Sequence, residues 1–169
     1  MKKFLFLSIA FFFFACNNKT DKAIEYNDSI ISLQQRIVKL FNQLDSSFAD
    51  TINHTYLNKF NELKNEIKNQ LQKVDSFENF DGSNEFKERY KKLLSVYNQV
   101  LIEDYQKLIS YYSMPDSEFT QQIVDEFNNT YKTANDKIDK ALNDFIEFQK
   151  NFAQKYGFTL IENSNYENR

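Results

Sequence analysis

The stretch "AIEYNDSIISLQQRIVKLFNQL" (residues 23–44) decides the fold, because its apolar side chains recur at steps of three and four. With Phe48 added, the stripe consists of Ile24, Tyr26, Ile30, Leu33, Ile37, Leu40, Phe41, Leu44 and Phe48. An α-helix makes one turn in 3.6 residues, so this spacing places the apolar side chains on one face. The stretch therefore predicts an amphipathic helix that buries one side.

Three more stripes of the same period follow along the chain. The second runs through Tyr56, Phe60, Leu63, Ile67, Leu71 and Val74. The third runs through Phe86, Tyr90, Leu93, Leu94, Tyr97, Leu101, Tyr105, Leu108 and Tyr112. The fourth runs through Phe119, Ile123, Phe127, Tyr131, Ala134, Ile138, Ala141, Leu142, Phe145, Phe148, Phe152 and Tyr156. No alternating, strand-like run competes with them, so we expect no sheet.

Poor helix formers separate the first three stripes. Residues 46–55 are rich in Ser, Asp, Thr and Asn, whose side chains compete for backbone hydrogen bonds, and we place a break there. In "ENFDGSNEF" (residues 78–86), Gly82 favours a left-handed turn, and Ser83 or Asn84 is suited to cap the next helix.

Two further signals delimit the fourth helix. Pro115 cannot continue the third helix, and Asp116 or Ser117 is predicted to cap the fourth, which extends for about 40 residues or roughly 60 Å. Gly157 is its natural end.

These elements predict an all-α domain. Four amphipathic helices with short connections favour an up-down-up-down four-helix bundle over residues 23–158, followed by a C-terminal tail, residues 159–169. The alternative is a three-helix coiled-coil bundle in which residues 22–77 form one unbroken rod. Two glycines and one proline in 169 residues agree with few, long elements.

The N-terminus has the pattern of an export signal. Lys2 and Lys3 precede an apolar run, residues 4–15, in which Ser8 is the only polar side chain. A membrane-spanning helix needs about 20 apolar residues, so this run is too short to remain in the bilayer. We therefore expect residues 1–15 to be a cleaved signal peptide.

The end of that run, Ala15-Cys16, resembles the lipobox of bacterial lipoproteins, although Phe13 and Phe14 stand where leucine and a small residue are commoner. The resemblance implies that Cys16 is acylated with diacylglycerol and palmitate, and that residues 16–22 tether the domain to the outer membrane, on its periplasmic or surface face. The alternative is an unmodified cysteine in an ordinary signal peptide. Cys16 has no disulfide partner in the chain, and two or three acyl chains anchor a protein durably.

Three segments of the mature chain resemble a family of small helical surface lipoproteins of Bacteroidota and spirochaetes. They are "IEYNDSIISLQQRI" (residues 24–37), "EDYQKL" (residues 103–108) and "QKNFAQKYGFTL" (residues 149–160). This resemblance implies a location in the cell envelope and a helical fold, and it implies no activity.

Composition excludes several function classes. Without Lys2 and Lys3, 19 basic side chains against 24 acidic ones leave a net charge of about −5, so we expect no nucleic-acid partner. One histidine, His54, allows no di-metal site with two Glu-x-x-His motifs and no zinc set, and we interpret it as a solvated side chain. Two isolated glycines form no phosphate loop. We predict no enzyme activity and no cofactor.

Two kinds of polar site remain. Glu103 and Asp104 interrupt an apolar stretch, and lone carboxylates near a core serve as acids in some enzymes, but we expect both to lie on a flank of the helix. The tripeptides that begin at Asp28 and Asp50 resemble acceptors for O-glycosylation in exported Bacteroidota proteins, which would modify Ser29 and Thr51.

Three functions are compatible with this pattern. The first is a membrane-anchored, non-enzymatic interaction or structural module of the cell envelope that binds a protein or an envelope polymer. The second is a carrier of a small apolar ligand inside an aromatic-lined helical bundle. The third, a hydrolase that uses Glu103 and Asp104, is the least favoured.

Overall fold

A computed structural model describes residues 18–50, 54–118 and 120–160. They form four long helices: α1 (Asn18–Ser47), α2 (Tyr56–Asp75), α3 (Glu85–Val100, a π-helical turn Leu101–Tyr105, and Gln106–Tyr112) and α4 (Gln121–Tyr156). The described ranges contain no β-strand, only one isolated bridge between Phe80 and Ser83. The all-α prediction is confirmed.

The helices pack as an up-down-up-down bundle. α1 contacts α2 and α4, and α3 contacts the same two neighbours. The Gln70 side chain of α2 reaches the backbone carbonyl of Leu33 in α1, which shows that the chain reverses between these helices. The three-helix alternative is therefore wrong, and the predicted break lies between Ser47 and Tyr56.

The bundle has two ends. The start of α1 (residues 18–22), the α2–α3 connection (residues 76–84) and the end of the described chain (residues 155–160) together form what we call the N-terminal end. The end of α1, the start of α2, the end of α3 and the start of α4 form the opposite end.

The predicted stripes form the core. Every stripe residue that the structure describes is buried or partly buried, and Phe119 lies outside the described residues. Aromatic rings cluster at both ends. At the N-terminal end Phe86 meets Phe152 with ring centroids 4.8 Å apart, and at the opposite end Phe48 meets Tyr112 at 4.7 Å. Such aromatic pairs contribute about 0.5–1.5 kcal/mol each beyond their burial.

The buried Gln70 side chain links three helices, and the spacing of the apolar residues did not predict this. Gln70, 1% exposed, donates through Nε2 to the Leu33 carbonyl at 2.9 Å and to Glu66 Oε1 at 2.8 Å. The Tyr90 hydroxyl of α3 donates to Gln70 Oε1 at 2.5 Å. Burial raises the pKa of the Tyr90 hydroxyl far above its ordinary value, so it remains a donor.

The glycine predictions are confirmed, but one capping prediction is wrong. Gly82 and Gly157 have φ values of 77° and 75°, in the left-handed region that favours glycine. Asp116 and Ser117 do not cap the fourth helix, because they belong to a 3₁₀ turn, Asp116–Glu118, that follows Pro115. Thr120 is the cap, and its Oγ1 accepts from the Ile123 backbone N–H at 3.4 Å.

At the start of α3, Asn84 occupies the cap position but makes no side-chain cap bond. The hydroxyl of the preceding Ser83 instead accepts from the Glu85 backbone N–H at 3.2 Å. Of the two residues predicted to cap this helix, Ser83 therefore supplies the side-chain bond.

Most of the segment predicted to be a flexible tether, residues 16–22, is helical, because α1 begins at Asn18. Cys16 and Asn17 lie outside the described residues. The sequence of this first turn lacks an apolar stripe, but its side chains bond to the rest of the bundle, as described below.

The π-helical turn in α3 generates the first test. Leu101 is fully buried, whereas the adjacent Ile102 is 42% exposed. We expect Leu101→Ala to lower the free energy of unfolding by about 2–5 kcal/mol, because it leaves a cavity in the core. Ile102→Ala should cost less than about 0.5 kcal/mol, as surface substitutions do. Urea unfolding followed by circular dichroism measures both, and equal costs would show that the inside and outside of α3 are misassigned.

Candidate functional site

Two of the three predicted modification sites, Cys16 and Thr51, lie outside the described residues. Ser29 lies on the exposed side of α1, and its hydroxyl donates to the Glu25 backbone carbonyl at 2.8 Å. Modification at all three positions stays a prediction.

A set of bonds fastens the first turn of α1 to the N-terminal end. Lys19 Nζ lies 2.8 Å from Asp81 Oδ2, and the Tyr156 hydroxyl donates to the same oxygen at 2.9 Å. The Thr20 hydroxyl donates to the backbone carbonyl of Tyr156 at 2.8 Å. We call these four residues the clasp. It connects the start of α1, the α2–α3 connection and the end of α4.

The local sequence of the α2–α3 connection presents Asp81 to the clasp. Asp81 and Gly82 have φ values of 54° and 77°, and the Ser83 backbone N–H donates to the Phe80 carbonyl at 2.9 Å. Two central residues with positive φ are the pattern of a type I′ turn, for which Asp-Gly is a favoured pair. Aspartate tolerates this conformation better than most residues other than glycine.

The clasp is sensitive to pH at its carboxylate. The hydrogen bonds from Lys19 and then from Tyr156 hold the pKa of the Asp81 carboxyl below its ordinary value. Because the pKa is lower in the folded state, this interaction stabilises the fold above the ordinary pKa of an aspartate. The contribution is lost as the pH falls through the lowered value, which opens the Lys19–Asp81 pair in acid.

A cleft of about 310 Å³ adjoins the clasp between α3 and α4. Its aromatic lining consists of Phe80, Phe86, Phe148, Phe152 and Tyr156. Charged side chains also line it, and the Arg89 guanidinium lies 5.6 Å from the centroid of the Phe148 ring. A second, wider groove of about 880 Å³ follows mainly polar residues of α1. Both are open to solvent, and neither is the enclosed apolar cavity that the carrier hypothesis needs.

The π-helical turn separates the two acids that the sequence singled out. Asp104 is directed inward, with 12% of its side chain exposed, and Lys137 Nζ donates to its two oxygens at 2.7 and 3.0 Å. Glu103 is 52% exposed and accepts from Gln99 Nε2 at 3.1 Å. The prediction that both acids lie on a flank is correct for Glu103 and wrong for Asp104.

The physical reason is the extra residue of the turn. The Gln106 backbone N–H bonds to the Leu101 carbonyl five residues back, which shifts the register by one position. Leu101, Asp104 and Tyr105 are consequently buried together. Neither Glu103 nor Asp104 lines either of the two grooves.

The possible metal ligands of the described residues are His54 and the carboxylates. His54 is exposed, as predicted, and its Nδ1 lies 2.9 Å from the Tyr56 hydroxyl. Within residues 18–50, 54–118 and 120–160, no group of three or more His, Cys, Asp or Glu side chains is placed to hold a metal ion.

Among the helices that the structure describes, none is both long and apolar enough to cross a bilayer.

Comparison of the chain with protein-family models, with curated proteins and with solved structures found no match.

The Asp104–Lys137 pair generates the second test. Lys137→Met keeps the apolar part of the side chain but leaves the largely buried Asp104 carboxylate without its two hydrogen bonds. We expect this change to lower the free energy of unfolding by about 1–3 kcal/mol. The matched control is Lys132→Met on the same helix, because Lys132 pairs with Asp136 on the exposed surface. The control should cost less than about 1 kcal/mol. Equal losses in urea unfolding would show that the Asp104 pair has no structural role.

Proposed function

We propose that the mature chain is a lipid-anchored protein of the cell envelope, acylated at Cys16 and held at the outer membrane. In this proposal it acts as a non-enzymatic interaction or structural module. The observation that carries the proposal is Ala15-Cys16 at the end of the apolar run, residues 4–15. The structure adds that α1 begins at Asn18, two residues after Cys16.

That position makes the proposed anchor a short one. Asn17 alone separates the acylated residue from the first residue of α1, and the clasp bonds Lys19 and Thr20 to the bundle. The acyl chains would therefore attach to the folded domain without a long linker. Two or three chains, at about 0.8 kcal/mol per buried methylene, suffice to hold a folded domain on a membrane.

The proposed lack of catalysis is supported by what the reactive side chains do. The carboxylate of Asp104 is occupied by Lys137, and the His54 ring contacts the Tyr56 hydroxyl. Both groups bond within the bundle and lie outside its aromatic cleft. The mixed acidic and basic helix surfaces suit recognition of a protein or of an envelope polymer, and the net negative charge disfavours a nucleic acid.

The third test concerns Cys16. In cells given labelled palmitate, the wild-type chain should take up the label and fractionate with the outer membrane. Cys16→Ala should lose the label and remain unprocessed, because the acylated sulfur is gone. Asn17→Ala, which alters the adjacent residue and keeps the sulfur, is the matched control and should be labelled. Unlabelled wild-type protein released into the periplasm would contradict the proposal.

The fourth test concerns the partner. Wild-type protein, solubilised from membranes in detergent and captured under mild conditions, should retain a protein or an envelope polymer that Cys16→Ala does not retain. The reason is that the unprocessed, unacylated chain is not carried to the outer membrane. The role as an interaction module would be contradicted if repeated captures retained no partner and if a strain that lacks the protein showed no change in phenotype.

A further inference from the structure

Acylation at Cys16 would place one end of the bundle at the membrane, and the distances are short. An extended chain spans at most about 3.6 Å per residue, so Cys16 lies no more than roughly 7 Å from Asn18. The 30 residues of α1 extend roughly 45 Å from there, at 1.5 Å per residue. The N-terminal end therefore lies close to the lipid headgroups, and the opposite end is far enough away to stand clear of them.

The clasp makes this end a fixed surface rather than a loose chain. Lys19 and Thr20 are bonded to Asp81 and Tyr156, so residues 18–22, 76–84 and 155–160 are held together. A bilayer that holds Cys16 consequently meets all three segments at once.

The chemistry of this surface suits a headgroup layer. Phe77, Phe80 and Phe158 are partly exposed there, and Lys19 and Lys155 lie 5.7 and 5.1 Å from the centroid of the Tyr156 ring. Partly exposed phenylalanine rings can enter the boundary between headgroups and acyl chains, and lysines beside them keep their ammonium groups in water.

The charges of this surface balance. In the three segments, the basic side chains are Lys19, Lys22 and Lys155, and the acidic ones are Asp21, Glu78 and Asp81. A surface without net charge gains little from anionic lipids, in contrast to a polybasic patch.

We propose that the N-terminal end is a membrane-contact surface that rests on the headgroup layer, with the bundle standing on the bilayer and the opposite end directed towards partners. This inference rests on the proposed acylation of Cys16. Beyond that acylation, the inference specifies which end of the bundle meets lipid. It also names the side chains that contact the lipid: Phe77, Phe80 and Phe158.

The chain contains no tryptophan, so a single introduced tryptophan reports its own depth. The acylated Phe158→Trp and Phe127→Trp variants, one at each end, would be reconstituted in phosphatidylcholine vesicles with brominated acyl chains, which quench tryptophan on contact. We expect quenching to be several-fold stronger for Phe158→Trp than for Phe127→Trp. Phe77→Trp, at the same end as Phe158, should give the same result and replaces Phe158→Trp if that variant does not fold. Equal quenching of both ends, or stronger quenching of Phe127→Trp, overturns the inference.

Two aspartate variants test the clasp in the Phe158→Trp background. Asp81→Asn removes the charge that pairs with Lys19, and asparagine tolerates the positive φ at this position. Quenching should fall measurably, because Lys19 no longer holds the first turn of α1 to the α2–α3 connection and only the Thr20–Tyr156 bond remains. Asp75→Asn is the matched control, since Asp75 and Lys91 form an ion pair of similar exposure that does not involve α1, and quenching should not change. An equal loss in both variants, or in neither, contradicts the role of the clasp.

Two measurements on the same samples separate this inference from the proposed function. Palmitate-labelled protein that shows no end-specific quenching leaves the proposed acylation intact and overturns the contact surface. Protein without label overturns both. Addition of phosphatidylglycerol to the vesicles should leave the quenching unchanged, and a strong increase would contradict a contact made without net charge.

Discussion

The packing of α1 between α2 and α4 is the interaction on which the rest of the structure depends. Each helix has one apolar face, so none is stable alone, and α1 supplies the face against which its two neighbours are buried. Polar bonds fix the register of this packing, through the Leu33 carbonyl to Gln70 on one side and through Asn27 to Gln149 on the other. A shift of one helical turn would leave these buried groups without partners, at about 1–3 kcal/mol for each.

The same packing links the fold to the proposed location of the protein. Because α1 is held along its whole length, its first turn belongs to the bundle and is hydrogen-bonded to the end of α4. An anchor at Cys16 would then act on a rigid body, and the two ends of the bundle would differ in what they can reach. One end would meet lipid, and the connections at the other end would meet partners in the surrounding compartment.

The four helices and their apolar faces were predictable, since the 3.6-residue period records directly which side of each helix is buried. Buried polar residues were not. Gln70 and Asp104 lie among apolar neighbours because partners on other helices, Tyr90 and Lys137, satisfy them, and those pairings span 20 and 33 residues. The π-helical turn of α3 adds one residue without breaking the stripe, and the start of α1 at Asn18 depends on tertiary bonds that a local pattern does not record. Of the candidate site, the sequence singled out Cys16, whereas the clasp required the structure.

Hydrogen exchange of the amides of residues 22–26 tests most directly whether α1 is held to the bundle from its first turn. The first N–H groups of a helix lack acceptors within it, so residues from Lys22 onward report helix formation. If the clasp holds, these amides should exchange nearly as slowly as those of residues 30–40 in the buried middle of α1. Exchange at the rate of an unstructured chain in residues 22–26, with protection only from Ile30 onward, would show that the start of α1 is a flexible tether and that the membrane does not meet a fixed end.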